Sequence, residues 1–158
     1  MANYNAPGSI TTSSQAYLGI ISICMPSTGV ARRTKWYDVL IGSAATPADA
    51  YLQFDISRVT ASSANGTTQT PGSNPLDAAD AVSLAQIITN YTTASSVVTS
   101  SSSLWNIPIN QRASYRWVAA PGSELVGPAT AGNGLTLRVL NASAAGPTCN
   151  ASVYYQEQ

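Results

Sequence analysis

The sequence predicts a mainly β protein, an antiparallel β-sandwich or jelly-roll-like fold with at most one short helix. Short stretches in which apolar and polar residues alternate recur along the chain, as in strands that have one buried face. Turn residues separate these stretches at regular spacing. The helical connections that a parallel sheet requires are missing from the pattern. An up-and-down barrel is the alternative arrangement of the same strands.

Residues 1–16 are predicted to form an extended N-terminal arm. They consist mainly of Asn, Ala, Pro, Gly, Ser and Thr, and such a segment buries too little apolar surface to offset the entropy lost on ordering. We expect the arm to become ordered on contact with a partner, with Tyr4 as its contact residue. Residues 17–158 then form a single sandwich domain, since 158 residues are enough for one hydrophobic core.

Three strands are predicted in the first part of this domain. Tyr17–Met25 is an apolar run without a clear period, which is typical of a strand covered on both faces. Trp36–Ile41 is the second strand. The third alternates over residues 52–57, and Val59 then falls out of phase, which predicts a β-bulge near Arg58.

The middle of the chain contains the only helix candidate. Residues 61–74 are Ser, Thr, Asn, Gly and Pro with little else, and they predict a loop. Residues 75–88 fit a short helix or helical turn, with Asp77 as its N-cap. Val97 and Val98 lie in a Ser- and Thr-rich stretch that fits an edge strand followed by a loop.

The last third of the chain has the clearest alternation and predicts three strands that each have one polar face. Turn residues separate these strands. Their inward residues are Ala113, Tyr115 and Trp117 in the first, Leu135, Leu137 and Val139 in the second, and Ala151, Val153 and Tyr155 in the third.

The composition argues against an enzyme. The chain has no histidine, one lysine and only 9% charged residues, so groups that titrate near neutral pH or activate a nucleophile are scarce. Asp77 and Asp80 are interpreted as turn-capping residues, and the basic cluster Arg32, Arg33 and Lys35 as a solvated turn. We therefore expect no catalytic residue, cofactor, metal or small-molecule substrate.

The same numbers limit the partners. Seven basic and seven acidic residues give a net charge of zero. This balance argues against nucleic acid as a ligand, because binding to phosphates requires a basic patch. It also favours association with other proteins. The longest apolar run is far shorter than a membrane-spanning helix. Cys24 and Cys149 are interpreted as two idle thiols in a protein made in a reducing cytoplasm, with a single disulfide as the alternative.

Three aromatic residues are candidates for an interface. Tyr4 lies in the predicted arm, Trp105 follows a serine run, and Tyr154 falls on the polar face of the last strand. Trp105 fits either an interface anchor or a plug over the end of the sandwich. Tyr154 is expected to point toward a neighbouring subunit.

Five segments of the chain form a recognisable set. They are Gly42–Asp49 (GSAATPAD), Pro75–Asp80 (PLDAAD), Asn110–Gly122 (NQRASYRWVAAPG), Glu124–Ala131 (ELVGPATA) and Asn133–Leu135 (NGL). As a set they resemble a group of small virion proteins of tailed bacteriophages. The resemblance covers most of the chain after residue 30 and is weak in the N-terminal arm.

The resemblance implies a head-associated role, that of a capsid cement or decoration protein. Such a protein is expected to be a homotrimer on the capsid exterior, made in the host cytoplasm, that binds the major capsid protein where capsomers meet. The resemblance supplies no catalytic residues. The alternative is a tail or fibre module that binds a host surface glycan. A capsid-forming protein is a third reading, which the single-domain length disfavours.

Overall fold

The protein is an all-β sandwich of two antiparallel sheets, as the sequence predicts. The computed structural model describes residues 1–12, 16–44, 47–60, 65–69, 72–93, 103–141 and 146–158. Within these ranges there are twelve strands and no helix. The strands are β1 (Asn3–Thr11), β2 (Leu18–Cys24), β3 (Thr34–Ala44), β4 (Tyr51–Val59), β5 (Thr67–Thr68), β6 (Asn74–Pro75), β7 (Gln86–Thr89), β8 (Ser103–Asn110), β9 (Tyr115–Val118), β10 (Leu125–Gly127), β11 (Gly134–Asn141) and β12 (Thr148–Glu157).

The first sheet has the strand order β10-β3-β12-β1-β6. β12 is its central strand and pairs with β3 on one side and with β1 on the other. The outer edge of β3 is shared by two short strands, because β10 pairs with residues 34–36 and β9 pairs with residues 38–41. The first and last strands of the chain are therefore neighbours.

The second sheet has the strand order β5-β7-β2-β11-β4-β8. All seven residues of β2 are buried, which confirms the prediction of a strand covered on both faces. β11 pairs with β2 and β4, and its residues Leu135, Leu137 and Val139 face the first sheet. The other face of the second sheet also contains buried residues, among them Cys24, Val59 and Tyr91.

One main hydrophobic core fills the space between the sheets. The alternation predicted for β4, β11 and β12 places every second residue in this core. Its largest fully buried side chains include Trp36, Tyr155 and Phe54. Burial of such aromatic side chains contributes strongly to the stability of a small domain.

The predicted N-terminal arm is instead a strand of the first sheet. Residues Asn3–Thr11 form β1, which pairs with β12 along its whole length. Tyr4 and Ala6 face the core and are 3% and 0% exposed. Composition was misleading here because β1 places only a few apolar side chains inward, and its neighbour comes from the other end of the chain. Residues 13–15 lie outside the described residues.

The helix candidate over residues 75–88 does not form a helix. Pro75 belongs to β6, and Gln86–Thr89 form β7. Asp77 does cap a local structure, since its Oδ1 accepts a hydrogen bond of 2.9 Å from the Ala79 N–H, but this is a turn of the Asx type. The next segment is fixed by tertiary contacts, because Glu157 accepts a hydrogen bond from the Ala85 N–H at 2.9 Å.

Other local predictions are only partly correct. The predicted loop at 61–74 contains β5 and the first residue of β6, and the predicted edge strand at Val97 and Val98 lies outside the described residues. The bulge predicted near Arg58 is absent from the pairing of β4 with β11, which is regular through Val59. The register shift lies instead between Ile56 and Ser57, in the pairing of β4 with β8. Val59 is out of phase because it packs against Cys24, Ile88 and Tyr91 on the other face of the second sheet.

Candidate functional site

The three residues predicted for an interface have different environments. Tyr4 is buried in the core, where its ring stacks on Tyr155 at a centroid distance of 5.4 Å and its hydroxyl donates to the Ala81 carbonyl at 3.0 Å. In this fold it is therefore a core residue and is not available to a partner. The prediction placed it at an interface because residues 1–16 were expected to be unstructured.

Trp105 closes one side of the sandwich. It lies half-buried on β8, the edge strand of the second sheet, and its ring centroid is 6.0 Å from that of Tyr115 on β9 of the first sheet. Both residues pack against the main core. The indole thus lies between edge strands of the two sheets, at the side of the sandwich, whereas the predicted plug lay over its end.

Tyr154 lies on the exposed face of the first sheet, as the alternation in the last strand predicts. It pairs with Asn5 of β1 and Asp38 of β3. Residues in the same phase on these strands and on β9 form one surface, which we call the outer face of the first sheet. It consists of Asn3, Asn5, Pro7, Ser9, Lys35, Asp38, Leu40, Gly42, Arg116, Val118, Asn150, Ser152, Tyr154 and Gln156. Tyr37 belongs to it as well, because the register of β3 with β12 shifts between Tyr154 and Tyr155.

The two charges at the centre of this surface neutralise each other. Arg116 Nε donates to Asp38 Oδ1 at 3.0 Å, and its Nη2 lies 2.5 Å from Asp38 Oδ2. The Arg116 side chain is 62% exposed and that of Asp38 only 8%, so the guanidinium covers the carboxylate. The hydrogen bonds to Asp38, and then its charge, raise the pKa of Arg116. Burial, the Asp38 charge and Tyr154 raise the pKa of Tyr37, so this phenol is neutral at physiological pH.

A shallow groove crosses the outer face of the first sheet. It has a volume of about 290 Å³ and is lined by Leu40, Gly42, Ser43, Ser114, Asn150 and Ser152 among others. The groove exists because these side chains are small. A Cβ atom added at Gly42 would meet the Ser114 Cβ at 3.5 Å, an ordinary contact, so the glycine is not required by packing.

One exposed apolar side chain lines this groove, and a second lies on the neighbouring strand β9. Leu40 is 44% exposed and Val118 is 59% exposed. Together with the Tyr154 ring they give the surface apolar contact area between hydroxyl and amide groups. Such a mixture is typical of the centre of a protein interface, where charged residues are depleted and aromatic residues are enriched.

Among the described strands, the neighbouring edge of β1 has no partner beyond its first residues, and we call it the open edge of β1. β6 pairs only with Tyr4 and Asn5, and no other described strand pairs with this side of β1. The Asn3 carbonyl accepts from the Leu76 N–H on this side, so the same alternation directs the backbone groups of Ser9 and Thr11 to the open edge. Pro7 lacks an N–H there, which is the position where a strand tolerates proline.

The outer side of the second sheet differs because its polar groups are buried. Asp55 and Arg138 form an ion pair with an Nε–Oδ2 distance of 2.5 Å, and their side chains are 2% and 11% exposed. Ser57 and Ser103 also donate hydrogen bonds to Asp55. The Tyr17 ring covers the guanidinium, with a distance of 4.3 Å from its centroid to Arg138 Cζ.

This network was missed by the sequence analysis. Asp55 and Arg138 are 83 residues apart and appear in the sequence only as polar members of two alternating strands. Pairing of β4 with β11 places them opposite each other. The only signal in the sequence was that both residues fall in the phase of their strands that points away from the core. That signal did not indicate that other side chains bury this face of the sheet.

A second polar cluster lies nearby on the same side of the second sheet. Ser22 lies 2.5 Å from the Tyr91 hydroxyl and donates to Thr136 at 2.7 Å. Burial raises the pKa of Tyr91 to about 12. Because these groups satisfy one another in a water-poor environment, we assign them to the stability of the sheet.

The described residues contain no group of three or more His, Cys, Asp or Glu side chains arranged to hold a metal ion. Among them we also find no helix with the length and hydrophobicity that a membrane crossing requires. The surface that remains as the candidate functional site is the outer face of the first sheet with the open edge of β1. Comparison with known proteins gives no match, either to a protein-family model, to a curated protein or to a solved structure.

Proposed function

We propose that the protein is a non-enzymatic cement protein of a tailed-bacteriophage head, which binds the major capsid protein on the outside of the capsid. The observation that carries the proposal is the outer face of the first sheet. It is broad, its one central ion pair is internally neutralised, and Leu40, Val118 and Tyr154 give it apolar contact area. A protein surface can cover the centre of this face without leaving an unpaired charge buried.

The open edge of β1 adds a second means of attachment. Ser9 and Thr11 direct backbone donors and acceptors outward, and an extended segment of a partner can pair with such an edge as an additional strand. No charged residue lies on β1, so the edge lacks the lysines that commonly prevent such pairing. This edge takes the place of the flexible arm in the predicted attachment.

We propose a homotrimer as the bound form, following the resemblance to head-associated virion proteins. Three copies on one capsomer junction multiply weak individual contacts into stable attachment. The low net charge of the chain reduces repulsion between the copies.

Binding to purified phage heads stripped of this protein tests the proposal. Leu40→Asp replaces an apolar side chain at the centre of the outer face of the first sheet with a hydrated carboxylate opposite Arg116. The apolar contact is lost and the carboxylate must be desolvated on binding, so we expect binding to weaken at least tenfold. Val30→Asp is the matched control, since Val30 is 69% exposed and lies outside this face, and it should bind as the wild type does. Unchanged loading of Leu40→Asp on the heads would reject the face as the attachment surface.

The groove on the same face favours a second candidate, a tail or fibre module that binds a host glycan. Its hydroxyl and amide groups, contributed by Ser114, Asn150 and Ser152, match the hydrogen-bonding groups of a sugar. Wild-type protein that pellets with intact tails and cells, and does not bind heads, would favour this candidate. Gly42→Leu, which fills the groove, should then abolish cell binding.

A further inference from the structure

Another cleft is lined by residues from both sheets at one end of the sandwich. It has a volume of about 460 Å³ and is lined by Arg33, Arg58, Val126, Pro128, Ala129 and Thr130. Two of the seven basic residues of the chain therefore face one space. The proposed function gives them no role.

The strand register explains how Arg58 reaches this cleft. Arg58 is in the same phase of β4 as Phe54 and Ile56, which face the core. It pairs with Leu135 near the beginning of β11, so it sits where the sandwich ends. The guanidinium therefore leaves the interior at the open end, and the residue is exposed.

Arg33 is held on the other side of the cleft by its backbone. Its N–H donates to the Gln158 backbone oxygen at 3.0 Å, and its carbonyl accepts from the Gln158 N–H at 2.9 Å. The turn after β10 forms the wall between the two arginines, and the Thr130 carbonyl accepts from the Asn133 N–H at 3.0 Å. Both arginines thus project from fixed backbone, which lowers the entropy cost of binding a ligand.

None of the described residues that line the cleft has an acidic side chain. In the described part of the chain, the arginines that form salt bridges with side-chain carboxylates are Arg116 and Arg138. Two guanidinium groups that face the same cleft repel each other, and an anion placed between them removes this repulsion. Arginine is also the residue that best matches the planar, bidentate geometry of a carboxylate.

The remaining lining residues indicate the kind of anion. Val126, Pro128 and Ala129 form an apolar wall beside the guanidinium groups, and a small inorganic anion makes no use of such a wall. A short peptide with carboxylate side chains around an apolar residue uses both parts of the cleft. The volume is also larger than a single inorganic anion requires.

We propose that the cleft formed by Arg33, Arg58 and the 126–130 segment binds a short acidic segment of a partner polypeptide. The two guanidinium groups bind its carboxylates, and Val126 and Pro128 contact the apolar side chain between them. The proposal stands independently of the capsid function, because a protein partner of any kind can supply such a segment.

Titration of ¹⁵N-labelled protein with the peptide acetyl-Glu-Leu-Glu-amide tests this proposal by amide chemical shifts. We expect saturable shifts centred on residues 33, 58 and 126–130, and binding at least tenfold weaker in both Arg33→Gln and Arg58→Gln. Arg112→Gln is the matched control, since it removes the same charge from an exposed position outside the cleft. It should bind the peptide as the wild type does.

Two further probes separate the specific site from general attraction. The neutral peptide acetyl-Gln-Leu-Gln-amide should not produce saturable shifts, and inorganic phosphate should bind more weakly than the acidic peptide. Equal binding of the neutral peptide would overturn the proposal, and so would tighter binding of phosphate, or loss of binding in Arg112→Gln to the same degree as in Arg58→Gln. A dispersed amide spectrum of each variant establishes that it is folded.

Discussion

The Asp55–Arg138 pair is the most buried charge interaction in the described part of the molecule. Removal of one partner leaves the other charge buried without compensation, which typically costs about 3 to 5 kcal/mol. We expect Asp55→Asn to lower the free energy of unfolding by about this amount in urea titrations, whereas the exposed Asp49→Asn should change it by less than about 0.5 kcal/mol.

Replacing both partners separates the cost of an orphaned charge from the value of the pair. The double variant Asp55→Leu/Arg138→Met has no charge to leave uncompensated, and we expect it to be more stable than Asp55→Asn. A loss of less than about 1 kcal/mol in Asp55→Asn would mean that water reaches the carboxylate and that the pair behaves like a surface ion pair.

Asp55 also gives a pH dependence of defined sign. Burial alone raises the pKa of its carboxyl, but hydrogen bonds from Ser103, Ser57 and Arg138 outweigh it, so the pKa lies below its ordinary value of 3.8. The contribution of Asp55 to stability is therefore complete above that value and is lost as the pH falls through the lower pKa of the folded state.

This dependence can be measured by comparing urea midpoints between about pH 5 and pH 2. Wild-type stability should fall across this window, and that of Asp55→Asn should fall less steeply because an amide does not titrate there. Glu124, whose pKa is also lowered, contributes equally to both proteins. Parallel pH profiles for the two proteins would contradict the lowered pKa of Asp55.

At the level of elements, β1 is the clearest departure from the sequence prediction. An arm that orders only on contact can be removed without loss of stability, but a strand that buries Tyr4 and pairs with β12 cannot. We expect deletion of residues 1–11 to abolish cooperative unfolding in urea, because it exposes one edge of β12 and opens the core. A truncated protein with an unchanged urea midpoint would instead support the prediction of an unstructured N-terminal arm.

Point variants at Tyr4 test the contribution of β1 to stability with a smaller perturbation than the deletion. Tyr4→Ala removes a buried ring and should cost about 3 to 5 kcal/mol. Tyr4→Phe keeps the ring and loses only the hydrogen bond to Ala81, so a loss of about 0.5 to 1.5 kcal/mol is expected.

The strands that were predicted correctly have signals within their own residues. β2 is an uninterrupted apolar run, and β4, β11 and β12 alternate strictly over several residues. β1 and β7 lack such a signal because their form is decided by distant partners. β1 pairs with the last strand, and the segment before β7 is held by Glu157.

The candidate site, like the fold, was predictable only where the signal lies within a single strand. Alternation places Tyr154 outward, and the structure shows it there. The groove beside Leu40 and the cleft between Arg33 and Arg58 were not predictable, because each joins residues from several strands whose register no short stretch of sequence contains. The same reason hid the Asp55–Arg138 pair.

At the level of the whole molecule, the two cysteines report on global opening. Cys24 and Cys149 are free and buried, on different sheets, which agrees with the interpretation as idle thiols. Burial raises the pKa of each thiol to about 12, so the reactive thiolate is scarce in the folded protein. Neither thiol should react with 5,5′-dithiobis(2-nitrobenzoate) in the native state at mildly alkaline pH.

In concentrated guanidinium chloride both thiols should react at once. In the absence of denaturant, the slow reaction of the two should follow a common rate, because both become accessible only when the sandwich opens as a unit. Rapid labelling of one thiol in the native protein would show that its sheet opens separately.

The central position of β12 in the first sheet also determines the order of events during translation. β12 leaves the ribosome after the other eleven described strands, yet it lies between β3 and β1, which are made much earlier. Until it emerges, both of these strands present unpaired edges, to which other nascent chains can bind. Slow synthesis of β12 during overexpression would thus favour strand exchange between growing chains. Rapid synthesis allows β12 of each copy to pair with its own β1 and β3.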